Sequence, residues 1–182
     1  MNVLQDKQKL IGILTIIVMA AQGLNSANAS ERNNLSTETA VIEPQASKEA
    51  LSVSKEEKLK KFENKGSLTD GELKELLSLV GFKGNDLKEA WAVAKKESNG
   101  QPIRFNGNTQ TGDSSYGIFQ INMIGMLGPD RREKFDLVTN SDLLNPVINA
   151  QIAFHMSNGG KDWSAWKGIT PRTKEWMSKF PN

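Results

Sequence analysis

Glu97 is the residue whose type and setting point to chemistry. Residues 85–98, Asn-Asp-Leu-Lys-Glu-Ala-Trp-Ala-Val-Ala-Lys-Lys-Glu-Ser, read as one amphipathic helix, with Leu87, Ala90, Trp91, Ala94 and Ser98 at helical spacing. On that wheel Glu97 falls between Ala90 and Val93, on the flank of the apolar face, while Lys88, Glu89, Lys95 and Lys96 take the opposite, solvated side. Burying an ionised carboxyl is costly. A carboxyl set there is therefore either paired, for instance with Arg104, or holds its proton to higher pH, as a general acid must. The C-terminal end of a helix also disfavours negative charge, so Glu97 has a reason to be there other than helix stability.

Few other groups compete for a chemical role. Cysteine is absent, which excludes disulfides, thiolate metal sites and a cysteine nucleophile. His155 is the sole histidine, with no second base or ligand near it in sequence, and reads as a surface or packed helix residue. The formal net charge of +2 lacks the basic footprint of a nucleic-acid binder, and Lys95-Lys96 and Arg131-Arg132 read as solvated faces. Gln120 is the polar member of an apolar run with Ile118, Phe119 and Ile121, so it either satisfies buried backbone or meets a ligand. Tyr116, the only tyrosine, is open to packing or substrate contact. Trp91 reads as core, and Trp163 and Trp166 as core closure in preference to a sugar platform.

These residues need a frame. Thr69 and Glu72 form a capping box before the stripe Leu73, Leu76, Leu77 and Val80, and Gly81 stops that helix. After a short turn, Asn85 or Asp86 caps the Glu97 helix, which Asn99-Gly100 and Pro102 end beside a loop. Asn106-Gly107-Asn108 and Thr111-Gly112-Asp113 are hairpin signals, with Ile103 and Phe105 expected in one strand. Met123–Leu127 closes at Gly128-Pro129, and Asp130–Phe135 reads as a short helix. Asn145-Pro146 starts a helix to about Ser157, and Pro171 starts a last one carrying Trp176. The expected fold is α+β, mainly α: a helical domain with a small β-hairpin excursion flanking a groove.

Residues 66–182 form that domain in this reading. Lys7 and Lys9, an apolar run from Leu10 to Ala21, and Ala27-Asn28-Ala29 before Ser30 have the order of a secretory signal peptide over residues 1–29, an uncleaved anchor being the alternative. Residues 30–65 are expected to be a polar, charge-balanced, solvated linker, disordered or partly helical, with a charged helix open to Lys48–Glu63 on sparse contacts from Leu51, Leu59 and Phe62. The chain is thus expected to be exported, to the periplasm, cell envelope or outside.

Glu97-Ser98, then Ser115-Tyr116-Gly117-Ile118-Phe119-Gln120-Ile121-Asn122, then Asn145-Pro146-Val147-Ile148-Asn149-Ala150 resemble the lysozyme-like superfamily, in particular lytic transglycosylases of the soluble type, including small exported or phage-borne members. The resemblance covers roughly residues 68–166. It implies that Glu97 is the catalytic acid, that Ser98 supports the site, and that Gln120 with the backbone near Gly117 and Asn122 contacts a glycan. The implied substrate is peptidoglycan, cut between N-acetylmuramic acid and N-acetylglucosamine to leave a 1,6-anhydro end without metal or other cofactor. Partners implied are glycan strands and, by extension, envelope-spanning secretion, conjugation or phage machinery, with the chain a monomer.

One departure bears on mechanism. Animal c-type lysozymes carry an aspartate immediately before a similar Tyr-Gly-Ile-Leu-Gln-Ile-Asn stretch, and here that position is Ser115. Glycosidases generally need two carboxyls flanking the bond. Asp113 is the nearest candidate for the second, although an aspartate in Thr-Gly-Asp-Ser is first of all a turn residue. A lone Glu97 suits a lyase, because intramolecular attack replaces the missing nucleophile with proximity. The alternatives are a hydrolytic muramidase using Asp113 or a water held by Ser115, and a glycan-binding module without turnover.

Overall fold

The computed structural model describes residues 54–108 and 110–182. The signal-peptide reading and most of the linker lie outside these residues. Helix α1, Asp70–Val80, starts as its capping box dictates: Glu72 N–H donates to Thr69 Oγ1 at 3.2 Å, and Thr69 N–H donates to Glu72 Oε2 at 2.8 Å. Gly81 ends it with φ 136°, and a Cβ there would meet the Phe154 ring at 3.1 Å. Leu73, Leu76, Leu77 and Val80 turn inward.

Lys65 also reaches Glu72, and this ion pair, with the Thr69 hydrogen bonds, holds the Glu72 carboxyl down at about 2. Because the folded value lies below the ordinary 4.5, the network stabilises the fold above pH 4.5 and is lost as pH falls toward 2. Thermal melts across that range should fall, and Glu72→Gln should flatten the fall. Thr69→Ala should cost about 1 kcal/mol at neutral pH by denaturant titration.

Helix α2, Gly84–Ser98, buries Ala90 through Lys95 and Ser98. It begins earlier than the expected cap at Asn85 or Asp86. Leu87 N–H already bonds the Lys83 carbonyl, Asn85 instead bonds Glu89 at 2.6 Å, and Asp86 pairs with Lys161 at 2.5 Å. The other end follows the sequence: Asn99 is left-handed at φ 59°, and the Asn99 and Gly100 N–H groups close onto Lys95 and Ala94.

Three two-residue strands follow, β1 Phe105–Asn106, β2 Ser115–Tyr116 and β3 Ile121–Asn122, antiparallel in the order β1-β2-β3. Tyr116 faces Phe105 on one side and Ile121 on the other; Ser115 faces Asn106 and Asn122. Ile103 is not in the strand. The Arg104 N–H to Gln101 carbonyl bond closes a turn around Pro102, leaving Ile103 64% exposed.

Helix α3, Leu127–Lys134, takes in Gly128-Pro129 where the sequence reading had the chain close before a helix. Proline is tolerated there because the first-turn N–H groups have no intrahelical partner. A 3-10 turn at Asn140–Leu144 leads to α4, Pro146–Met156, whose first turn is capped by Asn145 Oδ1 accepting from Val147 N–H at 2.9 Å. A second 3-10 turn, Ser164–Trp166, precedes α5, Pro171–Met177.

The core is helical and aromatic. Trp91, Phe82, Phe119, Leu76, Leu77, Ile118 and Leu143 are fully buried, and α2 packs against both α1 and α5. Trp163 and Trp166 close it, as the sequence suggested: Trp163 stacks near Phe82 and Phe119, and Trp166 Nε1 donates to the Phe119 carbonyl at 2.7 Å. Residues 54–60 are helical, and Leu59 and Phe62 are buried at 5% and 0%, so the charged stretch before Gly66 contributes to this core. The described part is α+β and mainly α, with a small three-stranded antiparallel sheet.

Candidate active site

Glu97 stands in the last turn of α2, a quarter exposed, and is paired. Its partner is its neighbour Lys96: Nζ lies 2.9 Å from Glu97 Oε1 and donates to the Trp166 carbonyl at 2.8 Å. Only 12% of the Lys96 side chain is exposed, so the expectation of a solvated lysine pair is overturned. Lys95 is buried too, bonded to Asp70 Oδ1 at 2.8 Å and lying over the Trp91 and Trp176 rings. Long aliphatic stems let both ammonium groups travel inward to partners on other elements. Two cations at a helix C-terminus offset the partial negative charge there, which is how Glu97 is accommodated.

Ser98 joins this helix end to the loop between β2 and β3. It is 6% exposed; its Oγ donates to the Ile118 carbonyl at 2.7 Å and accepts from Gln101 N–H at 3.1 Å. The loop turns at Gly117, φ 72°, where a Cβ would fall 2.3 Å from the Leu143 carbonyl and 2.4 Å from Asn149 Nδ2. Only glycine fits. Gln120, also at positive φ, donates from Nε2 to the Gly117 carbonyl at 2.9 Å and the Arg104 carbonyl at 3.1 Å. Its amide nitrogen thus braces the loop against the start of the hairpin.

Asn149 is the residue whose role the sequence did not reveal. Fully buried on α4, it accepts from Phe119 N–H and donates to the Tyr116 and Leu143 carbonyls, each at 2.9 Å. It fixes both ends of the turn that carries Gly117. The available signal was an asparagine set among Val147, Ile148, Ala150, Ile152 and Ala153 on one helix, with Gln151 beside it. Glu97, Ser98, the 117–120 turn, Asn149 and Trp166 therefore form one hydrogen-bonded assembly.

The remaining candidates belong to the sheet. Asp113 accepts from Asn106 Nδ2 at 2.7 Å with one carboxylate oxygen and from Ser115 Oγ with the other. Ser115 is 5% exposed and its hydroxyl points back along the hairpin. Tyr116 is half-buried, its ring 4.7 Å from that of Phe105. Asn122 Oδ1 caps Ile124 N–H at 3.0 Å, and its carbonyl takes a bond from Arg131 Nη1. Arg131 and Arg132, read as solvated, are half-buried instead because each guanidinium folds onto a main-chain or amide oxygen of another segment. His155 is exposed and sits edge-on to Phe135; desolvation and then Lys134 hold its imidazole below the ordinary range. Among the described residues no three His, Asp or Glu side chains stand together to hold a metal ion.

An acid-bearing helix end docked through a serine onto a glycine-turned loop, flanked by a small antiparallel sheet inside a helical domain, defines a lysozyme-like domain. The chain belongs to the family described as Lysozyme like domain, which matches residues 74–168. No curated protein and no solved structure gives a match. Family membership points to cleavage of a glycosidic bond in a glycan such as peptidoglycan.

Proposed function

We propose that the chain is a peptidoglycan lytic transglycosylase that cleaves between N-acetylmuramic acid and N-acetylglucosamine with Glu97 as its one catalytic carboxyl. The observation that carries this reading is the occupation of Asp113: both its oxygens are engaged within the hairpin, and Ser115 stands where a second acid would be. Protonated Glu97 gives its proton to the glycosidic oxygen as the C1–O bond breaks and the N-acetylglucosamine hydroxyl leaves. The C6 oxygen of the muramic ring then bonds to C1 while its proton passes to the Glu97 carboxylate. The acid is regenerated and no water is consumed. Lys96 steadies the carboxylate form that the second step requires. Ser98 and Gln120 hold the loop, and Tyr116, Gly117 and Asn122 offer the glycan-facing side.

The order of basic residues, apolar run and Ala27-Asn28-Ala29 supports export, so the enzyme would act as a monomer on the wall, by itself or for secretion, conjugation or phage machinery. Mass spectrometry of digested sacculi tests the chemistry. Anhydromuropeptides are the expected products. Reducing ends alone would make it a hydrolase, and binding without release would make it a glycan-binding module.

A further inference from the structure

Arg131 is a cation with no counter-charge beside the loop assigned to the glycan. On α3 its Nη1 reaches the Asn122 carbonyl at the end of β3, so the guanidinium lies against the sheet instead of extending into water. Desolvation there lowers its pKa from the ordinary value. Among the described residues neither Arg131 nor Arg132 makes an ion pair. Arg132 is taken up by Asn140 Oδ1 at 2.5 Å, and Asp130 and Glu133 on the same helix are exposed.

The carboxylate on the neighbouring hairpin is also engaged. A cavity of 440 Å³ opens between the hairpin and the segment joining β3 to α3, lined by Phe105, Asp113, Ser114, Met123 and Ile124. Asp113 in its wall is already bonded to Asn106 and Ser115, and no lysine or arginine lines it. Asn122 and Met123 are consecutive, so the carbonyl that Arg131 holds is one residue from the lining of this cavity. A partly desolvated guanidinium keeps further N–H donors and is stabilised most by a planar oxyanion that takes two of them.

We propose that Arg131 recognises a carboxylate carried by the substrate strand. This rests on the glycan-cleavage reading and extends it to specificity. In peptidoglycan such a carboxylate sits either on the lactyl group of a muramic acid without a stem or on the attached peptide. Three probes separate the sources: strands with intact stems, strands stripped of stems by an amidase, and stripped strands whose lactyl carboxylates are methyl-esterified, which keep the scissile bond but carry no charge.

Arg131→Gln keeps an amide donor for Asn122 but removes the charge, and Arg131→Lys keeps the charge without the fork. Wild-type kcat/KM should favour one carboxylate-bearing strand over the neutral esterified strand. Arg131→Gln should lose roughly ten- to a hundredfold on that strand alone, mainly through KM, with Arg131→Lys intermediate. Preference for stems places the carboxylate on the peptide; preference for stripped strands places it on the lactyl group. An unchanged ratio in Arg131→Gln, with thermal stability retained, overturns the proposal. Kd values measured in a Glu97→Gln background read recognition apart from turnover. A Kd dependent on both carboxylate and Arg131 supports this inference even if the wild type cuts nothing, which would count against the cleavage reading alone.

Discussion

Glu97→Gln should reduce the release of soluble fragments from sacculi by about a hundred- to ten-thousandfold, the range expected when one group supplies both general-acid and general-base steps. The amide fills the same volume, but it neither delivers a proton to the leaving oxygen nor takes one from the C6 hydroxyl. The fold should survive. Loss of the Lys96 pair costs on the order of 1 kcal/mol for a partly exposed contact, and removing a negative charge from a helix C-terminus returns about 0.3–1 kcal/mol. Lys96 also retains the Trp166 carbonyl. Circular dichroism and melting should therefore match the wild type while turnover collapses. Retention of more than about a tenth of the activity would mean that another group carries the chemistry.

What could be read in the sequence was what a segment decides for itself. Thr69 with Glu72, Asn145 with Pro146, and Asn99-Gly100 are local devices, and the helices start or stop there because the orphan N–H and carbonyl groups are met within a few residues. Ile118, Phe119 and Ile121 were legible as buried anchors by their type. The charges were not. A helical wheel puts Lys95 and Lys96 opposite the apolar face, but it does not contain Asp70, Trp176 or the Trp166 carbonyl, which lie on other elements and draw those side chains inward.

Arg131 was misread for the same reason, since its partner Asn122 belongs to a strand. The pairing of Glu97 had been one of two foreseen outcomes, yet the foreseen partner was Arg104 and the observed one is its sequence neighbour. Ile103 and Pro129 were displaced from their expected elements by turn closure and by the tolerance of a helix's first turn for proline. The lysine and arginine misreadings fall where a contact with another element outranks a local preference, whereas Ile103 and Pro129 turn on local geometry.

The same division predicts the largest stability effect. Asn149→Ala removes the partner of three main-chain groups at once: the Phe119 N–H and the Tyr116 and Leu143 carbonyls. The Phe119 N–H and the Leu143 carbonyl would remain buried, and the Tyr116 carbonyl partly so. An unsatisfied buried group costs about 1–3 kcal/mol, so the two fully buried groups alone cost about 2–6 kcal/mol, a large share of the roughly 5–15 kcal/mol that holds a domain together. Asn149→Asp should be no remedy: it keeps an acceptor for Phe119 N–H but turns an oxygen toward two carbonyls and buries a charge. The melting temperature of Asn149→Ala should fall by on the order of 10–25 °C. Activity should fall further than the folded fraction does, because the 117–120 turn loses its tie to α4 and one of those that remain, Ser98 to Ile118, pulls directly beside Glu97. A loss below about 1 kcal/mol by denaturant titration would show that Asn149 is replaceable there. The turn would then be held by the Gln120 brace and the bonds from Ser98 and Trp166.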